Sequence, residues 1–228
     1  KLNIYSKYIF YMNTILILTS FVIIVIILVI CIYYYQSHKK PTIYKTQVIP
    51  NIIHFVFGLQ PQTEDFLYPY YLSIYSAWKI NNPDKIYFYY NYEPKGYWWD
   101  KVKQDIPIIY FEKIDIPTHI GDKLITKTAH KADIVRMNKL YEMGGIYMDI
   151  DTITVRPYLD LLYYDTVLGY EMEPQYICNA IMLTKPKSDF FRIWLDNYEE
   201  FFQTDGWGEA SISLPAKIHK ENPTLALV

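Results

Sequence analysis

Two aspartates carry the most suggestive chemistry in this chain. Asp149 and Asp151 lie in the run Gly144-Gly145-Ile146-Tyr147-Met148-Asp149-Ile150-Asp151. In a strand, alternate residues share a face. Tyr147, Asp149 and Asp151 are then expected on one face, with Ile146, Met148 and Ile150 on the other. The two carboxylates would stand about 6–7 Å apart along the strand. Like charges that close repel, so a cation or a set of hydrogen-bond donors is expected between them. Asp133 and Arg136 precede the pair and share one face of a predicted helix. As a solvated ion pair they contribute little. Beside the aspartates, the planar arginine fork can hold an oxygen-rich ligand.

These residues need elements to position them. The spacing of Ala129, Ala132, Val135, Met137, Leu140 and Met143 predicts a helix over Thr128–Met143. Thr126 or Thr128 is the expected N-cap, and Gly144-Gly145 the stop. Asn51 to Phe57 and Lys85 to Tyr90 read as strands, with a helix from Tyr68 to Ile80 between them. Asn81-Asn82-Pro83-Asp84 breaks that helix. A short helix is expected over Tyr97–Gln104 and a third strand over Ile106–Phe111. Ile114 to Lys127 reads as irregular. Further strands are expected at Thr166–Tyr170 and Ile177–Thr184, and a helix at Phe190–Phe202. Strands alternating with helices through short connections are the grammar of a parallel α/β sheet.

Residues 1–14 read as a tail, 15–35 as a transmembrane anchor, 36–48 as a stem and 49–228 as one folded domain. The anchor reading rests on an apolar run from Ile15 to Ile32, followed by Tyr33, Tyr34 and Tyr35 as an interfacial belt. No small-residue cleavage site follows it, which disfavours a signal peptide. Lys1 and Lys7 precede the run, whereas His38, Lys39, Lys40 and Lys45 follow it. That count leans toward a cytoplasmic C-terminal domain. The chain opens on Lys1 and stops in apolar sequence, so a fragment lacking a C-terminal element is expected. A net charge of −2 gives no case for nucleic acid. Only Cys31 and Cys178 are present, which excludes a disulfide framework within the folded part. With 25 tyrosines in the chain, a single aromatic residue is not by itself a binding signal.

Ala132-Asp133-Ile134-Val135-Arg136, followed by Leu140-Tyr141-Glu142-Met143 and the Gly144–Asp151 run, resembles the DXD sugar-binding region of glycosyltransferase family 32. Its members include initiating α-1,6-mannosyltransferases, inositol-phosphoceramide mannosyltransferases and enzymes of capsular polysaccharide synthesis. Ile49-Pro50-Asn51-Ile52-Ile53-His54-Phe55-Val56-Phe57 resembles the family's first strand, and Trp78 with Asn82-Pro83-Asp84 fits its pattern. The likeness spans Ile49 to Thr184.

The resemblance implies a GT-A fold, a Rossmann-like α/β domain with a mixed, mostly parallel sheet. It implies a retaining transfer of a sugar from a UDP- or GDP-sugar donor to a glycan, glycolipid or glycoprotein acceptor. Asp149 and Asp151 become the catalytic pair. Asp151 would ligate Mn²⁺ or Mg²⁺ directly, and Asp149 would contact both ribose and metal. Asp133 and Arg136 would hold the donor sugar, with Tyr147 and Asn179 beside it and Val56 and Phe57 against the base. His54 reads instead as a strand residue with a satisfied ring. The family's further metal ligand near the C-terminus has only Glu209 or Ser211 as candidates. The resemblance also implies a type II single-pass protein of Golgi or ER kind, against the charge count. Two other readings stay open: a carbohydrate-binding protein without turnover, and an Asp-nucleophile phosphatase. The phosphatase pattern wants Thr or Val where this chain has Ile153.

Overall fold

The structure is a computed structural model that describes Met12, Thr19, Phe21 and residues 24–31, 46–171 and 176–228. Two units separate, Lys1–Lys45 and Thr46–Val228. In the first, residues 24–31 are helical with exposed side chains. The anchor expected over 15–35 and the stem over 36–48 otherwise lie largely outside the described residues. Among the described residues, no helix is long and apolar enough to cross a membrane.

The second unit runs β1 (Ile52–Val56), α1 (Tyr68–Asn81), β2 (Lys85–Tyr90), α2 (Tyr97–Asp105), β3 (Ile109–Lys113), β4 (His119–Ile120), β5 (Lys123–Leu124), α3 (Thr128–Met143) and β6 (Gly145–Met148). A 3-10 turn (Leu159–Leu161) follows, then β7 (Thr166–Tyr170), β8 (Ile177–Thr184), α4 (Asp189–Phe201), a π turn (Glu209–Ser213) and α5 (Leu214–Glu221). The main sheet has six strands in the order β3-β2-β1-β6-β8-β7. β1, β2, β3 and β6 are mutually parallel, while β8 runs antiparallel to β6 and β7 antiparallel to β8. This is the mixed, mostly parallel α/β sheet expected from the sequence.

Two apolar layers flank the sheet. Ile53, Phe55, Ile86, Phe88, Ile146 and Met148 pack against Ile74 and Ala77 of α1 and Trp99 and Val102 of α2. On the other face, Val56, Tyr89, Tyr147 and Met182 pack against Met137 and Leu140 of α3 and Phe191, Trp194 and Tyr198 of α4. The alternation predicted for Ile146, Tyr147 and Met148 therefore holds in β6.

Several boundaries differ from expectation for local reasons. The third strand begins at Ile109, because Ile106 closes α2 by donating its N–H to Val102 O. The segment expected to be irregular contains the β4–β5 hairpin. Neither Thr126 nor Thr128 caps α3: the N-cap is Lys127 and makes no side-chain cap. The two hydroxyls instead donate to Thr204 O and Gln60 Oε1.

The turn from α3 into β6 depends on its glycines. Gly144 has φ +66 and Gly145 φ +110, conformations that favour glycine. A Cβ on Gly145 would stand 2.7 Å from Ile52 O and 2.9 Å from His54 Nε2. His54 is fully buried; its Nε2 donates to Gly144 O (2.9 Å), so Nδ1 accepts from the Tyr89 hydroxyl (2.9 Å). Burial pushes its pKa from the ordinary 6.5 to about 4; the Gly144 bond opposes that shift and the Lys139 charge adds to it.

A folded-state pKa below the unfolded value means that the neutral ring stabilises the fold. That contribution is complete above pH 6.5 and is lost as pH falls toward 4, amounting to about 3 kcal/mol for one group. His54→Gln should lower stability at pH 7 while flattening the loss between pH 6.5 and 4.5, as followed by urea unfolding. An equally steep loss in the variant would move the acid sensitivity to another group.

Candidate functional site

β1 has β2 on one side and β6 on the other, so the chain reverses its direction of winding between them. In open α/β sheets, the crevice beyond the carboxyl ends of the strands at such a switch point is where ligands bind. The sequence-predicted residues come together there in two groups.

The first group surrounds a buried guanidinium. Arg136, on α3, is 6% exposed. Its Nη1 donates to Asn179 O at 3.0 Å and lies 3.0 Å from Asp149 Oδ1. Its Cζ sits 4.4 Å from the centre of the Tyr147 ring. The Tyr147 hydroxyl donates to the same Asp149 Oδ1 at 2.6 Å. Asn179 Nδ2 donates to Asp133 Oδ1 at 2.7 Å, and the Tyr198 hydroxyl reaches Asp133 Oδ2 at 3.4 Å. Thus Asp133, Arg136, Tyr147, Asp149, Asn179 and Tyr198 form one network drawn from α3, β6 and its end, β8 and α4. Arg136 Nε lies 3.5 Å from Asp133 Oδ1 but off a hydrogen-bonding line, leaving that buried donor unsatisfied.

The second group lines a cavity of about 280 Å³ at the end of β1. Val56 and Phe57 form part of its wall, with Tyr70 of α1 and Thr128, Ala129 and Ala132 of α3. The Phe57 ring packs against Phe66 (5.4 Å) and Tyr70 (5.2 Å). Ala132 is the chain neighbour of Asp133, so the helix that walls the cavity also carries the acidic network.

Asp151 is placed differently from the expectation. β6 ends at Met148, and only the Asp149 N–H continues the ladder, donating to Ala180 O at 2.8 Å. The chain then turns: the Thr152 N–H and hydroxyl both donate to Asp149 O, at 3.1 and 2.7 Å. Asp149 and Asp151 are therefore not alternate residues of one strand. Asp149 is half-buried at the strand end, and Asp151 is exposed on the turn. They still interact. Burial raises the Asp149 pKa; Arg136 and the Tyr147 hydroxyl oppose that rise, and the charges of Asp151 and Asp133 add to it.

Both bonds to Asp149 fall on Oδ1, and among the described residues Oδ2 takes none. Carboxylate oxygens at such a place suit a hard cation such as Mn²⁺ or Mg²⁺. Among the described residues, no three His, Cys, Asp or Glu side chains converge as a metal cluster. Glu209 does not join the pair: its Oε2 accepts the Trp207 N–H at 2.9 Å. Ser211 is buried beside Tyr198. Tyr198 is the network member that sequence reasoning missed, because it sits in the apolar stripe of α4, where the pattern of a core aromatic gives no separate signal.

This mixed, mostly parallel α/β sheet, with an aspartate at the end of β6 and a cavity at the end of β1, has the GT-A fold. The PaToxG glycosyltransferase shares the fold at a TM-score of 0.53, with 17% identity over 77% of this chain and 70% of that one. The apo-form glycosyltransferase GlyE of Streptococcus pneumoniae aligns at 0.45, with 14% identity over 78% of this chain and 45% of that one, too distant to add to the argument.

Residues 69–173 match the family described as the glycosyltransferase sugar-binding region containing DXD motif. Glucan organizing enzyme 1 of Cryptococcus neoformans var. grubii serotype A is 36% identical over 196 residues, covering 79% of this chain and 52% of that protein. The chain thus carries a match to the glycosyltransferase sugar-binding region at residues 69–173, and it spans about half the length of the curated relative it matches.

Arg136→Met should cost about 3–5 kcal/mol at pH 7, because it leaves the carboxylates of Asp133 and Asp149 without their counter-charge. Urea denaturation should show a loss that shrinks as pH is lowered, because the raised Asp149 pKa lets that group take up a proton sooner than an ordinary carboxylate. An equal loss at every pH would assign the effect to packing alone.

Proposed function

We propose that this chain transfers a sugar, with retention of configuration, from a UDP- or GDP-sugar to a glycan acceptor. The observation that carries the reading is the half-buried Asp149 carboxylate at the switch point. It is oriented by Arg136 and Tyr147 and keeps one oxygen free of protein bonds, and α3, which carries Arg136, also walls the cavity at the end of β1. The base would lie against Val56 and Phe57, and the diphosphate toward Asp149 and Asp151. Asp133, Arg136 and Asn179 would hold the donor sugar and keep it in register with the attacking hydroxyl. Mn²⁺ or Mg²⁺, held by Asp149 and Asp151, would offset charge developing on the leaving diphosphate. Tyr147 fixes the Asp149 rotamer, so that the carboxylate is presented before the donor arrives.

The name of the curated relative points to glucan, and we take a neutral glucan chain as the acceptor class. A type II arrangement, with residues 15–35 as anchor, belongs to the same proposal. The apolar run and the tyrosine triplet that follows support the span, and the family resemblance supports the orientation, against the charge count.

Asp149→Asn and Asp151→Asn should each lower Mn²⁺-dependent release of UDP or GDP from nucleotide-sugars by at least about 100-fold, the scale on which removing one charge-stabilising group acts. Circular dichroism should show the fold retained. Full turnover in either folded variant removes the proposed role of that residue. In the wild-type protein, the Mn²⁺ concentration needed for half-maximal turnover should rise as pH falls. The reason is that the raised pKa of Asp149 brings proton competition in at a higher pH than for an ordinary carboxylate. A requirement that stays unchanged down to the pH where ordinary carboxylates titrate would exclude Asp149 as a ligand.

A further inference from the structure

The outer surfaces of α1 and α2 carry a continuous array of rings away from the donor cavity. Trp98 lies 4.6 Å from Tyr68, 5.2 Å from Tyr71 and 4.9 Å from Tyr97, measured between ring centres. Tyr71 continues to Tyr75 at 5.5 Å, and Tyr75 to Trp78 at 5.7 Å. Tyr68, Tyr71, Tyr75 and Trp78 follow helical spacing, so the row runs along α1 for about 15 Å. The buried side of α1 is filled by Ile74 and Ala77; Tyr71, Trp78 and Trp98 pack against that core while staying partly exposed, and Tyr68 and Tyr97 lie outermost. Tyr97 is 67% and Tyr68 48% exposed.

The charges around the rings are matched. Lys101 pairs with Asp105 at 2.8 Å, Lys103 with Asp100 at 3.0 Å, and Lys79 lies 3.6 Å above the Trp78 ring. Asp105 also accepts the Tyr71 hydroxyl at 2.8 Å. With Lys101 and Lys103 paired to carboxylates and Lys79 resting on a ring, the surface has little field to draw an anionic lipid surface or a nucleic acid. It offers ring surface with hydroxyls at its edge, the amphipathic contact that tyrosine and tryptophan make where one side is apolar and the other wet. The complementary occupant is uncharged, long and polyhydroxylated, with apolar C–H faces.

We propose that this array binds a neutral glycan chain, as a docking platform for the polysaccharide whose end enters the donor site. The identity of that chain as acceptor rests on the proposed transferase reading; the binding itself does not.

The test uses soluble β-1,3-glucan oligosaccharides with the full chain in native affinity electrophoresis, without donor. Phosphatidylserine vesicles serve as a second arm. Wild-type protein should be retarded by the glucan and should not sediment with vesicles. Tyr68→Ala/Tyr97→Ala should weaken glucan binding at least tenfold, with Tm and nucleotide release unchanged. Tyr97→Phe, which keeps the ring, should retain most of the binding. Absence of retardation in the wild-type protein, equal retardation of the double variant, or vesicle binding lost in that variant would each overturn the proposal. Nucleotide release is measured separately. Release without glucan binding defeats the platform alone, and glucan binding without release defeats the transferase reading alone.

Discussion

One buried cation organises the site. Arg136 stands between two carboxylates, beneath an aromatic ring and against a backbone carbonyl, with little water near it. A guanidinium in such a place costs several kcal/mol to desolvate and persists only because its partners are fixed. The partners come from three elements: Asp133 from α3, Tyr147 and Asp149 from β6 and its end, Asn179 from β8. The Asp149 ion pair and the hydrogen bond to Asn179 O therefore tie the helix to both strands and set where the Asp149 carboxylate stands. Removing any one partner leaves a buried charge that the others were placed to satisfy.

That constraint explains the two glycines. The helix carrying Arg136 and the strand carrying Asp149 are joined by Gly144-Gly145, with no loop to absorb error. Positive φ at both positions lets the chain reverse within two residues, and the His54–Gly144 bond anchors the turn to β1. Because β1 also supplies Val56 and Phe57, one strand registers both the cavity and the acidic network. The aromatic stack of His54 with Tyr87 and Tyr89 extends the same support into β2.

The carboxylates are unequal for a related reason. Asp149 lies where the ladder still holds the backbone, whereas Asp151 lies beyond it on a turn closed by Thr152. One group is half-desolvated and oriented; the other is solvated. Opposed environments at neighbouring carboxylates allow one to be preset while the other adapts to what binds.

Much of this was legible in the chain. Periodicity placed α3 at Thr128–Met143 and β8 at Ile177–Thr184, and it separated Tyr147 from Ile146 and Met148, because burial on opposite faces of a strand imposes a period of two. Residue chemistry marked Asp133, Arg136 and Asp149, since such groups near apolar runs need partners, and the family resemblance alone marked Asn179. What stayed illegible was whatever depends on contacts between residues distant in sequence. The turn after Met148 is made by Thr152, and local alternation does not report where a strand ends. Tyr198 joins Asp133 across 65 positions of chain and looks like any core aromatic. The sequence by itself determined which groups could do chemistry and the strands and helices that carry them. Only the tertiary structure decided that Arg136 turns inward to Asp149, because the burial that forces the pairing arises once α3, β6 and β8 have packed together.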